Sequence, residues 1–165
     1  MLILPFFDSD TLELLHLYSL DTGMQIEIDE IVKTKQWKEA KKLRCEFCVL
    51  NMKAEDICHF SDFIIKTLSI SAKDLDFLRK AFTRSSKFRS WLFYLKKSNE
   101  IEEVSYLWGP AFISDHLCSW YFRTKDSEEK ILLIGINQLA QTVYFENTEM
   151  IYVKNGAIVH DYEEN

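Results

Sequence analysis

The spacing of apolar residues changes near Ile28 and again near Ser98-Asn99, and nothing in the sequence constrains the fold as strongly as the second change. Before that point, from Ile28 to about Tyr94, apolar residues recur at three- and four-residue intervals. After it they fall into short runs rich in β-branched and aromatic residues, separated by polar turns. Helices followed by antiparallel strands specify the α+β class.

In the first stretch, Ile31, Trp37, Ala40, Leu43 and Phe47 predict one helix with Lys on its other face. Ile57, Phe60, Ile64 and Leu68 predict a second over residues 54–68, with Glu55 and Asp56 near its positive end. A third opens on Ser71 as cap with Asp74 three residues on, and Leu75, Leu78 and Phe82 form its stripe. Residues 88–95 continue helically through Phe88, Trp91, Leu92 and Leu95. Beyond Asn99 the expected strands are 102–108, 117–124, 131–137, 141–147, 149–154 and 157–162. Asn155-Gly156 between two β-prone runs is the strongest hairpin signal.

At the other end, residues 2–7 read as a strand. Leu12 to Leu20, the Asp21-Thr22-Gly23 turn and the Met24, Ile26, Ile28 alternation read as a hairpin, with a helix over 10–19 as the alternative. The expected architecture is a helical middle segment packed on a mainly antiparallel sheet, formed by the C-terminal half plus the N-terminal hairpin. A single domain spans residues 1–165.

Charge is segregated along the chain. Residues 1–31 hold seven acids and no Lys or Arg, residues 32–97 carry a balance of +9, and residues 98–165 one of −8. The overall −6 disfavours general nucleic-acid binding, because phosphate neutralisation supplies most of that affinity. The basic segment 33–97, with Trp37 and Trp91 interleaved, keeps nucleic acid as the alternative partner. A hydrophobic share of 47% excludes a disordered chain, and no apolar run is long enough to span a membrane. Met1-Leu-Ile-Leu-Pro-Phe-Phe7 has no basic residues ahead of its apolar run, so a cytoplasmic location is expected.

Catalytic and metal motifs are sparse. Cys45-Glu-Phe-Cys48 followed by Cys58-His59 offers four donors, yet adjacent Cys58 and His59 seldom turn both side chains to one tetrahedral ion. Buried structural thiols are expected instead, with no metal and no cofactor. His16, His59, His116 and His160 are scattered, and no nucleophile-elbow, zincin or phosphate-cradling motif is present. Glu102-Glu103 and Glu128-Glu129, on strands, would point to opposite faces and make no acid–base couple. An enzyme is not expected, and an uncharacterised one is the second alternative.

What remains is protein binding. The candidate interface is the acidic C-terminal half, where aromatics sit among fixed charges: Glu102, Glu103, Trp120, Tyr144, Glu146, Glu149, Tyr152 and Asp161. In size and charge the chain resembles bacterial immunity or inhibitor proteins. That likeness implies stoichiometric neutralisation of a toxin or effector, such as a basic nuclease.

Overall fold

The computed structural model describes residues 8, 11–18, 23–97, 101–125 and 127–161. The N-terminal strand expected over 2–7 and the Asp21-Thr22 turn lie outside these residues. Among these residues ten strands form one mixed sheet: β1 (Leu14–Leu17), β2 (Gln25–Ile26), β3 (Lys42–Val49), β4 (Asp62–Thr67), β5 (Ser90–Leu95), β6 (Phe112–Ser114), β7 (Leu117–Thr124), β8 (Ser127–Asn137), β9 (Thr142–Glu149) and β10 (Val159–His160). Four helices accompany them: α1 (Lys35–Glu39), α2 (Ala54–Ile57), α3 (Ala72–Thr83) and α4 (Ile101–Trp108).

The spatial order is β1-β3-β4-β5-β9-β8-β7-β10, with β2 also on β3 and β6 on β7. β1, β2, β3, β4 and β5 run parallel, and helical crossovers join β3 to β4 and β4 to β5. β7, β8 and β9 form an antiparallel meander whose last strand docks antiparallel on β5. The class is thus α+β with a sheet, but half of that sheet is parallel.

Two expected helices shorten to α1 and α2 and continue as strands, and the one expected over 88–95 is replaced outright. Residues 42–49, 62–67 and 90–95 are β3, β4 and β5. Their buried residues alternate: Leu43 and Cys45, then Phe63, Ile65 and Thr67, then Trp91, Phe93 and Leu95. A helical period cannot bury that set on one side, and a strand does. The N-terminal hairpin is also replaced, since β1 and β2 lie parallel along the same edge of β3. Residues 102–108 are helical, with Val104 and Trp108 buried four residues apart and Glu102 and Glu103 in the first turn. Residues 150–152 form a 3₁₀ turn, so no hairpin joins 149–154 to 157–162. The turn there is real, however: Gly156 takes φ +85° and Ala157 N–H bonds the Lys154 carbonyl at 3.0 Å. β10 pairs in parallel with β7 instead.

α3 matches its expectation, with Ser71 Oγ accepting from Asp74 N–H at 3.1 Å. β7 spans the expected 117–124, and β8 and β9 contain the expected 131–137 and most of 141–147. Among the described residues no helix is long and apolar enough to cross a membrane.

One continuous core fills the space between helices and sheet, including Trp37, Ile57, Leu75, Phe82, Val104 and Trp108 from the helical side and Phe63, Trp91, Phe93, Trp120, Ile134 and Phe145 from the strands. Every indole N–H finds an acceptor: Trp37 on the Asp56 carbonyl, Trp91 on Phe60, Trp120 on Gly109 and Trp108 on the Asp76 carboxylate.

β10 is held partly by His160, whose ring lies 5.3 Å from that of Phe122. Its Nε2 is buried without a hydrogen-bond partner. Burial, and then the charge of Arg79 on α3, lower its pKa below 6.5, against the opposing pull of Asp161. The unfolded chain therefore takes up this proton first on acidification. The stability due to neutral His160 is complete above about pH 6.5 and is lost as pH falls through the lower folded value. Melting temperatures measured from pH 7.5 to 5 should decline in wild type, and His160→Phe should flatten part of that slope; an unchanged slope would refute the role.

Candidate functional site

All four helices contribute to the one core, and among the described residues none lies on the sheet's second face, which is open around Tyr94 on the parallel half and closed over Cys48, Ser119 and Tyr121, all at 5% exposure or less. Residues pointing the other way form registered rows across the strands. One row reads Leu14, Lys42, Asp62, Ser90, Glu146, Leu133, Tyr121 and Val159. The next reads His16, Arg44, Ile64, Leu92, Tyr144, Gly135 and Ser119. Beyond the bulge in β3 a third runs Cys48, Lys66, Tyr94, Thr142, Asn137 and Leu117. The centre of this face is apolar and aromatic, with Ile64, Leu92, Leu133 and Tyr144 half-buried and Tyr94 exposed. Charges of both signs surround it: Lys42, Arg44, Lys66, Asp62 and Glu146.

Tyr144 is laid flat by a local device. Gly135 is its cross-strand neighbour, and a Cβ there would meet the Tyr144 ring carbons at 2.1–2.2 Å. Only glycine leaves room for the ring to cross β8. Its hydroxyl then hydrogen-bonds Ser119 on β7, and burial, only partly offset by that bond, raises its pKa. The ring is thereby fixed as a rigid platform, which lowers the ordering cost of a contact made on it.

At the end of the sheet where β3, β4 and β5 begin lies a cleft of about 990 Å³. Its floor is a run of backbone bonds between strand starts. Lys42 N–H reaches the Glu13 carbonyl at 2.9 Å, Ser61 reaches Lys41 at 2.8 Å, Arg89 reaches Ser61 at 2.9 Å and Asn147 reaches Arg89 at 3.0 Å. Lys38, Lys41, Lys42, Lys87, Arg89 and Lys130 line it, against Glu13, Glu39 and Glu149.

The sequence-derived interface is dispersed by this fold. Tyr144 and Glu146 share the open face, and Glu149 lies on the cleft wall. Asp161 is exposed and pairs with Arg123 at 3.2 Å. Tyr152 is exposed on the 3₁₀ turn. Glu102 and Glu103 are exposed on α4 and not on a strand of the sheet. Trp120 is the correction: it faces the core at 1% exposure, because its strand position shares the covered face with Ile134 and Phe145. Sequence reasoning overlooked Ile64, Leu92 and Tyr94, which it placed on helices. Period-two alternation in these short runs was the available signal.

The cysteines divide between the faces. Cys45 joins the core while Cys48 follows the β3 bulge and faces the other way, so the pair cannot meet one ion. Burial pushes the Cys45 thiol up to about 11, which leaves it un-ionised and unreactive. His59 is engaged by the Trp37 carbonyl at 2.9 Å, and burial lowers its pKa, so it is neutral at pH 7. Among the described residues no group of three or more His, Cys, Asp or Glu side chains is placed to hold a metal ion.

Residues 1–110 match one family, the FTH domain. That span ends just past α4 and includes the whole parallel half of the sheet, whereas the β7–β9 meander lies beyond it. No curated protein and no solved structure matches the chain.

Proposed function

We propose that this chain, which belongs to the FTH domain family, is a non-catalytic protein-recognition module that binds through the open face of its sheet. The observation that carries the reading is the second face of the parallel half, on which no helix lies among the described residues. Parallel strands are ordinarily covered on both faces, yet among the described residues β3, β4 and β5 have helices on one face alone. The uncovered side presents Ile64, Leu92, Tyr94 and the immobilised Tyr144, an apolar centre with a charged surround, as expected of a protein interface.

Neutralisation of a toxin or effector is one form such recognition would take. The mixed signs of Lys42, Arg44, Lys66, Asp62 and Glu146 favour no particular charge on the partner, so the proposal rests on protein binding in general. A cytoplasmic setting fits the four free thiols, which would remain reduced there.

Affinity capture from the native host, with nuclease treatment, tests the reading. Wild type should retain a stoichiometric protein partner. Leu92→Lys combined with Tyr144→Ala should lose it, while a Lys38→Glu, Lys41→Glu variant should affect it less. Retention by the Leu92/Tyr144 variant, or recovery of nuclease-sensitive material alone, would sink the proposal.

A further inference from the structure

We infer that the cleft at the start of β3, β4 and β5 binds an acidic peptide segment of a partner protein. This goes beyond the open-face reading and is independent of it; the two surfaces share only Lys42. Lys41 is paired with Glu13 at 3.2 Å, but Lys38, Lys42, Lys87, Arg89 and Lys130 make no ion pair among the described residues. Acids are not scarce in this chain, with 26 Asp and Glu against 20 Lys and Arg. Five cations without an ion-pair partner, against Glu39 and Glu149, leave this concavity net positive, an arrangement that a complementary charge would relieve.

The floor is suited to such a ligand. Lys41, Lys42 and Arg89 sit on backbone that is hydrogen-bonded across three strands, so little ordering remains to be done on binding. Asn147 also lines the cleft, and its Oδ1 is buried without a donor. The side-chain carboxylates of such a peptide would meet the cations in charge-assisted hydrogen bonds.

Nucleic acid fits less well. Glu13, Glu39 and Glu149 would confront its phosphates. Of the cleft's two aromatic rings, Phe88 is 4% exposed and His59 already packs on Phe60 at 4.0 Å, so neither offers a free stacking platform.

The test is fluorescence polarisation on the intact chain, with a dye-labelled oligoglutamate peptide as probe. Oligoglutamine and oligothymidylate serve as comparators. Oligoglutamate should bind, weaken with added salt and outcompete oligoglutamine. Lys87→Glu with Arg89→Glu should weaken it by about tenfold or more, the effect of removing about 1.4 kcal/mol. Both residues are exposed, so the fold should persist. If the circular dichroism of that variant is nonetheless lost, Lys130→Gln and Glu149→Lys decide the matter, the first weakening and the second tightening binding. Failure of oligoglutamate to bind, or binding indifferent to these changes, overturns the assignment. Tighter binding of oligothymidylate, abolished by the same variant, reassigns the cleft to nucleic acid. The Leu92/Tyr144 variant should leave oligoglutamate binding unchanged, which separates this result from the fate of the open face.

Discussion

Replacing Asp76 with alanine should destabilise the protein by about 3 kcal/mol, the lower end for breaking a buried ion pair, because this carboxylate is one-fifth exposed. It joins α3, α4 and the sheet. Asp76 Oδ1 accepts from Arg79 Nε at 2.9 Å and from Trp108 Nε1 at 2.9 Å, and it lies 2.8 Å from the terminal guanidinium nitrogen of Arg79. Oδ2 lies 3.1 Å from Lys80 Nζ. The Arg79 guanidinium in turn rests over the Phe122 ring of β7 at 5.0 Å. Deleting the carboxylate removes a counter-charge from a buried cation and leaves the Trp108 indole N–H without this acceptor. Burial alone would raise the Asp76 pKa, but the Trp108, Arg79 and Lys80 contacts outweigh it and the net shift is downward. Its contribution is thus fully present above about pH 3.8 and is lost as pH falls through the lower folded value. Urea titration at pH 7 and pH 3 checks both statements. The variant should lose its midpoint at pH 7 and differ less from wild type at pH 3. A loss below about 1 kcal/mol at pH 7 would place the network among ordinary surface ion pairs.

Trp91→Ala should cost about 3–5 kcal/mol, as for large aromatics removed from a close-packed interior. Its ring stacks on Phe63 at 4.4 Å and meets Phe82 edge-on at 4.5 Å. Removing it leaves a void between α3 and the parallel strands and frees the Phe60 carbonyl, which now accepts the indole N–H at 3.0 Å. Trp91→Phe should recover much of the packing but not the hydrogen bond, and so fall between the two. Equal stability of wild type and the alanine variant would contradict β5 as a core strand.

How much of this was legible follows from where the periodicities were unambiguous. α3 could be read because a capping serine, an acid three residues on and a clean stripe agree. β7, β8 and β9 could be read because β-prone runs alternate with polar turns. β4 and β5 could not, because a buried strand of six residues and a turn and a half of helix carry similar apolar content. Helical spacing linked Phe60 to Ile64 and Leu68, whereas the real pairs are Phe63 with Ile65 and Trp91 with Phe93. α4 was misread for the converse reason: Glu102-Glu103 followed by Val104 and Trp108 is a helix opening, obscured by the β-rich sequence after it.

The candidate site was harder, because both surfaces are products of topology. Ile64, Leu92 and Tyr144 become neighbours only when β9 returns to β5. The cleft cations come from residues 38–42, 87–89 and 130, which meet because three strand starts are level. The basic middle segment was visible as a run of charge. That its cations stay unneutralised at one end of the sheet was not. Glu146 and Glu149, three residues apart in sequence, belong to different surfaces, and Gly135 marked a close approach whose partner, Tyr144, only the register supplies.

Photo-crosslinking tests the central claim most directly. A benzophenone amino acid is placed at Tyr94, exposed on the open face, and separately at Phe77, exposed on α3 behind the sheet. After irradiation in the native host, the account predicts a discrete protein adduct from the Tyr94 position and none of that mass from Phe77. The same adduct from Phe77 with none from Tyr94 would put the partner on the helical side and contradict recognition through the sheet.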